Sequence, residues 1–132
     1  MHVFNMDTYP STCLLSLSLI ATSENTLITE IVQFDLPKGI SREDVLAIYR
    51  QTAPVWSKNK DLVQKYYFFD EKESKGGGVY IWKTMDAARK WHGDEYKARI
   101  KELYGSEARM TYFDTLLVVD NVAEQLSEPL KA

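Results

Sequence analysis

Residues 62–83 read LVQKYYFFDEKESKGGGVYIWK. Leu62 to Asp70 is aromatic and β-branched, which predicts a strand, and Val79 to Lys83 predicts a second. The polar run Glu71 to Lys75 between them reads as an exposed hairpin tip. Gly76, Gly77 and Gly78 read as a turn and bulge leading into the second strand. A phosphate-cradling glycine loop would need a helix N-terminus directly after the glycines. Here a strand follows, which excludes that reading. Two adjacent strands with no helix between them form a hairpin, and the flanking sequence supplies the rest.

On the N-terminal side, Thr26 to Leu36 predicts a strand closed by Pro37-Lys38-Gly39. Ser41 to Asp44 forms a capping box. Val45, Ile48, Tyr49, Thr52 and Trp56 then recur at helical spacing, with Pro54 expected to bend or end the helix. On the C-terminal side, Thr84 to His92 predicts a helix with Ala87, Ala88 and Trp91 on one side. Gly93 is expected as its left-handed cap, and Asp94 as the cap of a short helix reaching Tyr104 and Gly105. Arg109 to Asp120 predicts the last strand, and a polar tail follows from Asn121. The order is β-α-β-β-α-β, an α+β ferredoxin-like fold. It divides the chain into an extension (1–25), the domain (26–120) and a tail (121–132).

In such a fold both helices cover one face of the sheet. Tyr67 and Phe69 oppose Tyr66 and Phe68. Likewise Tyr112, Leu116 and Val118 oppose Phe113, Leu117 and Val119. Both faces are therefore apolar. The uncovered one predicts a second copy of the chain against it, an isologous homodimer.

Composition narrows the function classes. The 132 residues carry 16 Lys plus Arg against 19 Asp plus Glu, a net charge of −3, the wrong sign for a phosphate-backbone binder; no nucleic-acid partner is expected. Hydrophobic residues at 45% and aromatics at 12% support a packed core. One cysteine, Cys13, excludes an internal disulfide and a Cys-rich metal site, and no metal is expected. The apolar run CLLSLSLIA (Cys13 to Ala21) is too short for a membrane span. No Lys or Arg precedes Lys38, so the charged region of a signal peptide is missing. The alternation of Leu and Ser suggests an extra strand in the extension, and the expected location is the cytoplasm, away from membranes.

Gly77-Gly78-Val79-Tyr80-Ile81-Trp82, the alanine-bearing helix after it, Tyr112-Phe113-Asp114 and Val119-Asp120-Asn121 resemble the YdhR-like monooxygenases of the dimeric α+β barrel superfamily. The resemblance covers about residues 26 to 128. It implies a dimer with a pocket between sheet and helices, and a cofactor-independent oxidation of a small aromatic or polycyclic phenol or quinol. The superfamily also holds haem-degrading enzymes, chlorite dismutases, cyclases and isomerases. A proton-transfer enzyme and a non-catalytic ligand-binding dimer are therefore the alternatives. The haem-degrading members share a Trp at Trp91, but their axial His has no match: the corresponding stretch holds Arg99, Ile100 and Lys101. No cofactor is expected.

The resemblance puts Tyr49, Trp56, Tyr80, Trp82 and Trp91 at the pocket as aromatic substrate contacts. His92 is the expected acid/base, since an imidazole suits removal of a phenolic proton. It is expected at the margin of the buried face, held more cationic by the helix end. Asp114, inside an apolar strand, is the second candidate base. Glu30 and Asp35 carry the same ambiguity, and Arg50 and Arg99 could pair with them or take a substrate carboxylate.

Overall fold

The computed structural model describes residues 27–122 and 125–127. The strand expected around Cys13 to Ala21 lies outside them. Four strands, β1 (Ile28–Asp35), β2 (Leu62–Asp70), β3 (Lys75–Trp82) and β4 (Arg109–Asp114), form one antiparallel sheet in the order β2-β3-β1-β4. Three helices, α1 (Arg42–Ser57), α2 (Met85–Trp91) and α3 (Asp94–Tyr104), connect them. The ferredoxin-like order expected from the sequence is present.

β1 shows how the pattern sets the layers. Ile28, Glu30, Val32 and Phe34 are buried toward the helices, while Thr29, Ile31 and Gln33 alternate to the other face. The core joins this row to Val45 and Tyr49 of α1, Tyr80 and Trp82 of β3, Ala87 and Ala88 of α2, and Ile100 and Tyr104 of α3.

Helix ends follow local chemistry. The Ser41 hydroxyl accepts from the Asp44 amide at 3.0 Å. The helix does not stop at Pro54 but continues to Ser57. The turn beyond the proline carries Trp56, whose ring packs on Tyr80, Trp82, His92 and Tyr96, and this packing offsets the lost amide. The left-handed cap expected at Gly93 is absent. His92 ends α2, and Gly93, at φ −83°, begins α3. Gly105 does adopt the left-handed conformation and ends α3.

Two other expectations are corrected. Gly76, Gly77 and Gly78 are not a turn; they lie inside β3, paired with β1 on one side and β2 on the other. Side-chain-free backbone is needed there for close approach. A Cβ on Gly76 would meet the Tyr49 hydroxyl at 2.5 Å, and one on Gly77 would sit 1.9 Å from the Val32 carbonyl. The strand expected over 109–120 is also two strands. β4 stops at Asp114; the Thr115 amide still continues the β1 register, donating to the Leu27 carbonyl at 2.9 Å. β5 (Val118–Asp120) then pairs with β6 (Gln125–Ser127) in a separate hairpin.

The face away from the helices carries Tyr66 and Phe113, each about half exposed, at 56% and 51%. Leu116, Leu117 and Val119, beside it in sequence, are also exposed. Among the described residues, no helix is long and apolar enough to cross a membrane.

Candidate functional site

A cavity of about 530 Å³ opens between the sheet and the helices, in the size range of small-molecule sites. Phe34 of β1, Lys65 and Tyr67 of β2, and Gly77 and Tyr80 of β3 form its floor. Tyr49, Thr52 and Trp56 of α1 and Tyr96 and Tyr104 of α3 form its walls. The exposed apolar residues Val55, Trp91 and Leu103, one from each helix, line it as well. Charged groups from α2 and α3, namely Lys90, Asp94, Glu95 and Arg99, complete the lining.

The walls are braced by their own hydroxyls. Tyr49 donates to the Phe68 carbonyl at 2.8 Å and accepts from the Gly77 amide at 3.1 Å. The Thr52 and Tyr67 hydroxyls share a bond of 2.7 Å, and those of Tyr80 and Tyr96 one of 3.1 Å. Burial raises the pKa of every one of these phenols, so they remain neutral donors and acceptors at neutral pH.

Lys65 is the exception in this wall. Its Nζ lies 3.8 Å from the centre of the Tyr67 ring, 4.4 Å from Tyr80 and 4.7 Å from Trp56. It forms no salt bridge with the described residues. Burial pushes the amine down to about 6, so much of it is neutral at pH 7. The three ring faces favour the ammonium form and oppose that shift. Gly78 makes room for the side chain: a Cβ there would come within 3.0 Å of Lys65 Cε.

Behind the wall sits a closed polar cluster. Glu30 Oε1 accepts from Trp82 Nε1 and from His92 Nδ1, both at 2.7 Å. Glu30 and Trp82 are fully buried and His92 is 2% exposed. The Tyr96 ring stacks on the imidazole with centroids 3.9 Å apart, and Tyr80, Trp82 and Trp56 meet it edge-on. Glu30 Oε2 and His92 Nε2 have no hydrogen-bond partner among the described residues. Loss of solvent pulls the His92 pKa below its ordinary value, against the pull of the Glu30 carboxylate. A neutral imidazole donating through Nδ1 satisfies the carboxylate; the proton is assigned from that bond.

The candidates therefore sort by position. Tyr49, Trp56, Tyr80 and Trp91 line the cavity, and Trp82 lies in the layer beneath it. The expected positions of Trp91 and His92 are exchanged. His92 follows fully buried Ala88 by four residues and is buried. Trp91 is 40% exposed, its indole donating to Asp61 at 2.9 Å. Burial also outweighs the helix end, so His92 is not held cationic. Asp114 is exposed at the end of β4 and outside the cavity lining, because the strand ends there. Asp35 is exposed too, its carboxyl held below the usual range first by Lys75, with Arg109 adding to it. Arg50 is exposed, and Arg99 lines the cavity. Sequence reasoning missed Lys65 and undervalued Glu30. The signal was strand parity: Glu30 alternates with Ile28 and Val32, and Lys65 with Tyr67 and Phe69. Among the described residues, no three of His, Cys, Asp or Glu gather as a metal site.

Two crystal structures of SnoaB, a cofactor-independent oxygenase from Streptomyces nogalater, one of them a mutant, resemble this chain. Each superposes with a TM-score of 0.52 at 14% identity, over 68% of this chain and 93% of SnoaB. The shared architecture is the α+β fold with its four-stranded antiparallel sheet. At that identity the likeness concerns the fold alone. No protein-family model matches the chain, and no curated protein matches it.

Proposed function

We propose that the chain is a cofactor-independent monooxygenase acting on a small aromatic or polycyclic phenol or quinol. The observation that carries this reading is the cavity: a slot walled by Tyr49, Trp56, Tyr67, Tyr80 and Tyr96, with the Lys65 amine set among these rings. Flat rings bind flat rings, and the apolar side chains along the lining admit an apolar ligand. The fold shared with a cofactor-independent oxygenase, and the resemblance to YdhR-like monooxygenases, support the same reading.

Once the substrate hydroxyl has lost its proton, the electron-rich anion passes one electron to O₂. The radical pair combines to form a C–O bond. Loss of water from that peroxide leaves a quinone carbonyl. One oxygen atom stays on the ring, and the other leaves as water with two substrate hydrogens. The chain has to bind the ring, remove the proton and exclude bulk water. His92 serves as a positioning residue, holding the Tyr96 wall from behind. The working unit we propose is a cytoplasmic homodimer in which a second copy covers Tyr66 and Phe113.

Oxygen consumption with a panel of hydroquinones and hydroxy-polycyclic aromatics tests the reading. Enzyme-dependent uptake matched by quinone formation is expected; no uptake with any of them overturns it. The unpartnered amine of Lys65 favours one second reading, a proton-transfer enzyme on the same fold. Deuterium exchange into a bound ketone without oxygen uptake distinguishes it, and binding with neither activity identifies a non-catalytic module.

A further inference from the structure

We infer that Lys65 is the group that takes the proton from an aromatic hydroxyl bound in the cavity and then holds the resulting anion. The inference rests on the ligand class proposed above but not on the reaction with oxygen.

Position comes first. Lys65 is paired with Tyr80 in the sheet register and shares the inward side of β2 with Tyr67. Its amine is presented to the cavity by two strands, and Gly78 leaves its stem unobstructed. His92 and Glu30 are screened from the cavity by the Tyr80 and Tyr96 rings. Asp114 is outside it. Lys90, the other amine of the lining, is exposed over the Trp91 ring at the cavity's edge, so Lys65 is the nitrogen base that a ligand meets among the aromatic rings.

The absence of a salt bridge to the described residues gives the chemistry. A carboxylate beside Lys65 would fix it as an ammonium and satisfy it within the chain. Instead three aromatic rings surround it, which stabilise a cation once formed but accept no hydrogen bond of ordinary strength. The proton step is balanced: the ligand O–H bond breaks, an N–H bond forms, and no electrons are transferred. The product is an ammonium–phenolate pair with the ligand ring among Tyr49, Trp56 and Tyr96.

The surrounding charges permit this. α1 contributes only neutral Tyr49, Thr52 and Trp56. The strands add Tyr67 and Tyr80, and α3 adds Tyr96 and Tyr104. Asp94, Glu95 and Arg99 of α3 and Lys90 of α2 are all exposed. Behind the wall, Glu30 and His92 hold each other, and a charge on Lys65 disfavours one on His92. Protonation of Lys65 therefore keeps the imidazole neutral.

The test uses 4-nitrophenol, whose anion absorbs in the visible, at a pH below the free probe's own pKa. Wild type should bind it as the phenolate. Lys65→Met, similar in length but without the amine, should lose the phenolate band, with anion affinity down about tenfold or more, equivalent to one pK unit. Lys65→Arg keeps a cation but cannot accept a proton near neutrality, so it should still bind the phenolate, with the proton released to the buffer instead of kept on the protein as in wild type. Circular dichroism checks that each variant folds. No phenolate band with wild type, or an equal band in Lys65→Met, overturns the inference. Oxygen uptake unchanged in Lys65→Met overturns it while leaving the oxygenase reading intact. A phenolate band in a protein that consumes no oxygen supports it and removes the oxygenase reading instead.

Discussion

The molecule places two polar groups against the same aromatic rings and treats them in opposite ways. His92 is enclosed, with its Nδ1 tied to Glu30 and Trp82 completing the cluster. Lys65 lies on the cavity side of Tyr80, with ring faces around it and no salt bridge to the described residues. Burial lowers the pKa of both. The difference is access: the enclosed pair organises the wall, while the open amine can meet a ligand. A residue type suited to acid/base chemistry is thus not enough to mark the reacting group.

The enclosed cluster should show the largest stability effects. Glu30→Ala leaves His92 and the Trp82 indole without their acceptor and should cost about 3–5 kcal/mol, read from the denaturant midpoint. Glu30→Gln keeps an acceptor oxygen and should lose clearly less. Equal midpoints for Glu30→Ala and wild type would dissolve the contrast between the two regions.

Gly77→Ala comes next. Its new Cβ would press on the Val32 carbonyl, which is backbone and cannot rotate away. It should cost about 1–3 kcal/mol or more, and more than Gly78→Ala, where the nearest obstacles are the Lys65 stem and the Tyr80 ring and the Tyr66 carbonyl stands back at 3.2 Å. The reverse order would mean that β3 shifts to accommodate the methyl.

Lys65 should instead show in the pH dependence. Its folded pKa lies near 6 and its unfolded value near 10.5. Between these the unfolded chain holds the extra proton, so stability should rise with pH across that window. Thermal unfolding at pH 6.5, 7.5 and 8.5 should show this rise in wild type and a flatter profile in Lys65→Met. Matching profiles would return Lys65 to an ordinary surface lysine. The smallest effect belongs to Trp91→Ala. With Trp91 40% exposed, it should cost less than about 1 kcal/mol, whereas Trp82→Ala should cost about 3–5 kcal/mol.

These contrasts also show what the sequence could reveal. Period-two patterns, Ser41 and Gly105 make the element order readable, because each reports a local choice of backbone. The end of β4 at Asp114 is not readable: Leu116 to Val119 keeps strand composition, although the ladder with β1 closes at the Thr115 to Leu27 bond. The glycine triplet resembled a turn because the space it clears belongs to Tyr49, Lys65 and Val32, far away in the chain. Trp91 and His92 were exchanged because α2 ends between them, and one residue at a helix end reverses which side chain is enclosed. Glu30 and Lys65 fell on inward positions by parity, but charged residue types argue for solvent until the fold supplies a partner or a cavity.

The most direct measurement is a titration of the lysine side chains by NMR, following the ¹³Cε resonances in protein labelled at lysine. The account predicts one resonance with a midpoint near 6, far below the ordinary lysine value of about 10.4, and missing from Lys65→Met. If every lysine, Lys65 included, titrates near that ordinary value, the amine is a permanent cation and cannot take a proton from a ligand in the cavity.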